Sequence, residues 1–324
     1  MEQLLHVLKS IPEYSTLLES ITLNQPSAVS GIGQINRSHL IAGLYSHTNR
    51  PFVLICQDDM AARRLQEELK AFLSEDFPIL PSRELTLYDT AVVSRAWEQK
   101  RMQQLYHLSH GHTRLQIFSW ESLSQRTIPP AKLHTSAFTL KVGGTYELES
   151  LLSGLTEAGY TRCPMVEGPG QFAVRGGIVD IFSTAENRPV RFEFFGDELD
   201  TMGYFDPDTQ RRTDNIDSIL ILPVGETQPR LHPEGINGLC HDLQQLIARQ
   251  KRRKYINEPL IATLSKDLDK YENALNNPAS DRYMALIYPE FSTAMDYIPD
   301  NAVLILCDQL FYTVSMGTID YCFL

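Results

Sequence analysis

The chain has 324 residues, enough for two or three domains each with its own core, and its 43% hydrophobic and 21% charged residues are those of an ordinary globular protein. A net charge of −11 argues against a broad surface that grips nucleic acid by neutralising phosphates. The five cysteines are scattered singly, no apolar run approaches the ~20 residues of a membrane span, and Glu2, Lys9 and Glu13 interrupt any leader-like block, so a cytoplasmic protein is expected.

From the start, leucines at positions 4, 5, 8, 17 and 18 fall at helical spacing around a break at Pro12. A second helix is predicted over Ser38–Tyr45, and the unbroken apolar run Phe52–Cys56 reads as a strand buried on both faces. The acidic pair Asp58-Asp59 then leads into a helix over Met60–Leu73. Strand, acidic turn and helix make the repeating unit of a parallel α/β sheet. A helix around Ser94–Leu108 and a strand Leu115–Ser119 follow, and Pro129-Pro130 marks a boundary. Beyond Phe138 the pattern changes. A helix over Tyr146–Gly159 is surrounded by alternating strands at Gln171–Phe182, Pro189–Phe195, Thr201–Phe205 and Ser218–Leu222. Gly176-Gly177 is expected to form a bulge, and Asp206-Pro-Asp-Thr a turn. After Pro223 the chain turns helical again and reaches a final apolar strand, Ala302–Cys307. The basic run Arg249–Lys254 reads as the solvated end of a helix that begins near Leu239. The expected organisation is therefore a core made from residues 1–137 and 223–324, interrupted by a small α+β domain over 138–222.

Two short stretches have the outline of a nucleotide site without its chemistry. A phosphate-binding loop needs glycine so that backbone N–H groups can wrap the phosphates, and a lysine to reach their outer oxygens. The stretch from Gly31 to Ser38 has that spacing, but Asn36 stands at the second glycine and Arg37 at the lysine. A broad guanidinium does not replace a slim ammonium. The matching apolar strand should end in Asp-Glu, for magnesium and the attacking water. Here it ends in Asp308-Gln309, and an amide cannot take a proton as a general base. Gly31, Asn36, Arg37, Ser38, Asp308 and Gln309 thus describe a degenerate nucleotide site, with no cofactor expected. The histidines at 107, 110 and 112 lack a fourth ligand and read as a solvated helix end.

In the run Val190–Phe195, alternation places Val190, Phe192 and Phe194 on one face and Arg191, Glu193 and Phe195 on the other. Ala173 and Arg175 share a face of the neighbouring strand. Arginine beside an exposed aromatic is typical of an interface hot spot. An Arg191–Glu193 ion pair over a capped sheet, worth little to stability, fits the same pattern, and alternation alone leaves both readings open.

The stretches Gln171–Phe182, Pro189–Asp200 and Phe205–Arg211, with Leu87-Tyr-Asp89 before them and Ile221-Leu-Pro223 after, resemble the interaction domain shared by the repair helicase UvrB and the bacterial transcription-repair coupling factors (Mfd). The resemblance covers roughly residues 50–225 well. It implies an α/β fold: a degenerate P-loop NTPase core of the RecA/UvrB type carrying the inserted α+β domain. It also favours the coupling factors, because the intact P-loop and tyrosine-rich DNA-probing hairpin of UvrB are not visible. In that family this region recruits UvrA through two arginines and a phenylalanine, which fall by motif on Arg175, Arg191 and Phe195. RNA polymerase and DNA would be engaged by parts of a longer parent protein, an ATP-dependent DNA translocase, while this region would not itself be an enzyme. An active UvrB-type ATP-dependent helicase is the alternative.

Overall fold

The computed structural model describes residues 2–83, 95–273, 277 and 280–307. Its strands, in chain order, are β1 (Phe52–Cys56), β2 (Ile79–Leu80), β3 (Leu115–Ser119), β4 (Phe138–Lys141), β5 (Thr161–Arg162), β6 (Gln171–Arg175), β7 (Ile178–Phe182), β8 (Val190–Phe195), β9 (Glu198–Phe205), β10 (Arg212–Asn215), β11 (Ser218–Ile221) and β12 (Val303–Leu306). They are distributed over two compact units. The first draws on Met1–Arg83, Gln104–Gln125 and the chain from Ala294 onward, the second on Arg126–Thr293 and the stretch through Gln103.

The first unit is built on a sheet of order β12-β1-β3-β2 whose pairings are all parallel. Every side chain of β1 is buried, as its continuous apolar sequence requires of a strand covered on both faces. The helices Gln34–His47 and Asp59–Leu73 pack Ile41, Leu44, Leu65 and Leu69 into the same core as Phe52, Leu54 and Val303. The second of them starts where Asp58 accepts a hydrogen bond from the Ala61 N–H at 2.8 Å, satisfying one of the helix's orphan donors. The two apolar runs Phe52–Cys56 and Val303–Leu306 are direct neighbours, Phe52 opposite Val303.

The second unit contains a six-stranded sheet of order β10-β9-β8-β7-β6-β5, antiparallel except for the short β5–β6 pair. A separate antiparallel pair joins β4 to β11. Leu151 and Leu155 of the helix Leu148–Glu157 lie in one apolar cluster with Phe172, Val179, Ile181, Val190, Phe192 and Ile221. Two expectations need correction. Gln171–Phe182 is two strands, and Gly176-Gly177 forms a hairpin turn, Arg175 pairing with Ile178 across it, rather than a bulge. Register shifts in this sheet lie instead between β8 and β9, after Glu193, and between β9 and β10. Residues 223–293 lie in the same compact unit as the β-rich stretch 138–222. The Val224 N–H donates to the Ala158 carbonyl at 2.9 Å and Arg230 pairs with Glu157 at 3.1 Å, tying the two stretches together, and buried polar anchors hold residues from Glu226 onward within the same unit. Arg101 is fully buried and bonds the Glu226 carboxylate, Nη2 to Oε2 at 3.2 Å, while Thr127 donates to the same carboxylate. Tyr288 donates to the Glu226 carbonyl at 2.9 Å and accepts from the Gln228 N–H at 3.1 Å. No helix among the described residues is long and apolar enough to cross a membrane.

Candidate interaction face

The outline of the phosphate loop is folded in a way that sequence spacing did not indicate. The helix expected at Ser38–Tyr45 begins at Gln34, so Asn36, Arg37 and Ser38 are helical residues. Only Gly31 and its neighbours remain as loop, Gly31 with a left-handed φ of +77°. Ser38 is buried, and its hydroxyl donates to Glu68 of the following helix instead of facing open space. Arg37 lines a cleft of about 340 Å³ together with Gln34, Asp58, Arg64 and Glu68. Asp308 and Gln309, with Leu87-Tyr-Asp89, lie outside the described residues. Among the described residues, no cluster of His, Cys, Asp or Glu is arranged to hold a metal ion.

The other candidate residues gather on one face of the six-stranded sheet. Asp180 of β7 sits directly opposite Arg191 of β8 and Ala173 of β6. Its carboxylate is only 2% exposed and accepts from Arg191 Nε at 2.6 Å and Nη2 at 2.9 Å. The same carboxylate accepts from Arg175 Nη2. Arg191 also lies over the ring of Phe205, 4.7 Å from its centroid. The hydrogen bonds that Arg191 donates to Asp180 raise its pKa above the ordinary value despite its burial. Glu193, the other acid of this strand face, is held by Arg212 at 3.1 Å. The Arg191–Glu193 surface pair that alternation allowed is therefore not formed; each residue has a different partner.

Phe195 is set apart from all of these by its exposure of 83%. It closes β8 before the two-residue turn Gly196-Asp197, with Glu198 opposite. The turn Gly176-Gly177 meets this strand end: the Phe194 N–H donates to the Gly177 carbonyl at 2.8 Å. A Cβ on Gly177 would stand 2.9 Å from the Phe194 oxygen, so glycine is needed for the two backbones to approach. Arg175, which precedes that turn, is thereby brought to the same sheet end as Phe195. Its side chain remains half exposed. Phe192 is fully buried, and Phe194 is partly buried against the same core, less enclosed than alternation suggested.

Sequence reasoning passed over Asp180 and Gln210. Asp180 did carry a signal, since a carboxylate inside Ile-Val-Asp-Ile-Phe must find a partner once the strand is buried. Gln210 carried none, and it reaches Arg191 only through the fold.

A face of this kind, with an aromatic at a hairpin tip beside a fixed pair of arginines on an antiparallel sheet, defines a protein-binding module, and residues 138–226 match the family described as the UvrB interaction domain. The wider chain is similar to the transcription-repair-coupling factors, as its motifs had indicated for the N-terminal region of such a protein. It is 29% identical over 286 residues to that of Bacillus subtilis, covering 86% of this chain and 24% of the relative. To that of Myxococcus xanthus it is 31% identical, over 67% of this chain and 19% of the relative. With the Escherichia coli K12 factor it shares 31% identity, over 58% of this chain and 16% of the relative. The chain thus spans no more than about a quarter of the length of these relatives.

Proposed function

We propose that this chain is the recruiting module of a transcription-repair coupling factor: it binds UvrA and brings it to stalled RNA polymerase for nucleotide excision repair. Residues 138–222 are read as the UvrA-binding domain, inserted between the stretches 1–137 and 223–324. Arg175, Arg191 and Phe195 are the contact residues. The observation that carries this reading is the exposure of Phe195 at a hairpin tip beside Arg175. A large exposed aromatic beside an arginine is the composition typical of an interface hot spot. Polymerase binding, DNA binding and ATP-driven translocation belong in this reading to parts of a longer protein.

The chain itself is proposed to be non-catalytic, a degenerate P-loop core without nucleotide. Asn36 and Arg37 in place of the glycine and lysine and the engagement of Ser38 with Glu68 support that reading. A UvrB-type helicase is disfavoured by the same residues and by the relatives. The test is direct titration of the chain with purified UvrA, beside an ATPase assay with DNA. Binding that Phe195→Ala and Arg175→Ala each weaken by about thirtyfold, with no ATP turnover, is expected; such a loss corresponds to ~2 kcal/mol for a hot-spot side chain. Wild-type affinity in both variants would remove these residues from the site, and turnover would restore the helicase reading.

A further inference from the structure

We propose that Asp180 and Gln210 are positioning residues of this face: they hold Arg191 in place and leave the free N–H groups of Arg175 for an acidic side chain of the partner. This rests on the recruiting role proposed above.

Arg191 keeps one N–H donor for a partner, the rest being engaged within the fold. Besides its two bonds to Asp180, its Nη2 donates to Gln210 Oε1 at 3.1 Å and its Nη1 to the Gln210 carbonyl at 3.2 Å. Four of the five N–H donors a guanidinium carries are therefore engaged, and the side chain is only 17% exposed. Arg175 uses a single nitrogen, Nη2, for Asp180 and, at 3.5 Å, for Gln210 Oε1. Its Nε and Nη1 have no partner among the described residues. Two guanidiniums share one buried carboxylate, so one positive charge is left over. It resides on the half-exposed arginine, because Glu193 is already bonded to Arg212. Such a surplus, with free N–H groups in a planar fork, suits a carboxylate.

Gln210 is held where it is at a cost. Its φ of +59° is left-handed, a conformation that a residue with a side chain rarely takes. The preceding turn enforces it. The Asp206 carboxylate accepts from the N–H groups of Asp208 and Thr209, at 3.0 and 2.7 Å, and from the Thr209 hydroxyl at 3.0 Å. The Gln210 N–H closes onto the Asp206 carbonyl at 2.8 Å, and its side-chain amide donates to the Pro207 carbonyl at 2.7 Å. A glycine would occupy this position without strain. Glutamine there is explained by the work of its side-chain oxygen, which bridges both arginines.

The two residues predict opposite signs from a purely structural or purely electrostatic role. Gln210→Gly relieves the backbone while deleting the bridge. The expected result is unchanged or higher thermal stability together with UvrA affinity lowered about fivefold, the equivalent of one lost hydrogen bond. Asp180→Asn makes the face more positive, which would tighten an acidic partner if charge alone mattered; weaker binding is expected. Both are measured on the full chain by calorimetry, with Phe195→Ala in parallel. Should the parent chain itself fail to bind UvrA, the recruiting role falls; should Phe195→Ala bind as the parent does, Phe195 leaves the contact face. Should Phe195→Ala weaken binding while Gln210→Gly keeps full affinity, the positioning role alone is overturned. Gln210→Gly decides this by itself, even if Asp180→Asn fails to fold.

Discussion

The stretch from Gly31 to Ser38 and the β8 strand end at Phe195 treat their side chains in opposite ways. In the first, Asn36, Arg37 and Ser38 lie in a helix, and the serine is buried on a carboxylate of the same unit. In the second, a phenylalanine that could have been replaced by any polar residue stays in water. Hydrogen-bonding groups that bind a ligand must be left unsatisfied in the free protein, and the Ser38 hydroxyl is not. The second keeps an unsatisfied apolar surface and unsatisfied arginine donors together. The contrast separates a site turned inward from one still facing out.

The largest effect that would sharpen this contrast is expected within β8. Phe192→Ala removes a fully buried ring from the sheet core and should destabilise the chain by about 3–5 kcal/mol, read by denaturant unfolding. Phe194→Ala should cost less, because that ring is only partly enclosed. Phe195→Ala comes next: its effect of ~2 kcal/mol should fall on UvrA affinity, with the unfolding midpoint unmoved. A comparable loss of stability in Phe192→Ala and Phe195→Ala would abolish the distinction between core and contact ring. In the first stretch, Ser38→Ala should cost about 1 kcal/mol of stability through the lost bond to Glu68, again by denaturant unfolding. It should leave UvrA affinity unchanged, and a binding defect in this variant would contradict the separation.

The smallest effect concerns acid. Burial first, and the charges of Lys9 and His6 after it, hold His47 below its ordinary value of 6.5, beside the Tyr14 hydroxyl at 2.6 Å from Nδ1. The folded value being the lower one, His47 is neutral in both states at neutral pH and has no effect there. As pH falls past the unfolded value, the unfolded chain takes up a proton that the folded chain resists, and stability is lost until the folded value is passed. His47→Asn should flatten that part of the stability–pH curve without changing UvrA binding at neutral pH. A curve as steep as that of the parent would show that other groups set it.

Much of the architecture could be read from residue order. The runs Phe52–Cys56 and Val303–Leu306 were legible as parallel strands because no polar residue interrupts them, and their pairing is observed, although only the first is buried throughout. The start of the helix at Gln34 was not, since its cap is Gly33 with no side-chain bond to announce it. Gly176-Gly177 is compatible with a bulge or a hairpin, and only the pairing of Arg175 with Ile178 distinguishes them. At the interaction face, alternation correctly placed Phe195 outward and Phe192 inward. It could not show that Arg191 is occupied, because Asp180 lies on another strand and the register that sets them opposite is a property of the folded sheet.

The place of β12 beside β1 has a consequence for how the chain is made. Arg50, just ahead of β1, bonds the carbonyl of Asn301, a residue 251 positions later. A ribosome adding about 5–20 residues per second would need roughly 12–50 s to deliver that neighbour. Throughout that interval one edge of the wholly apolar strand Phe-Val-Leu-Ile-Cys has no partner, the kind of edge on which nascent chains stick to one another. Messages cut short before codon 303 would release products in which that edge is never covered. A cell expressing this protein should therefore rely on chaperone capture, or on slow initiation, to keep incomplete chains apart.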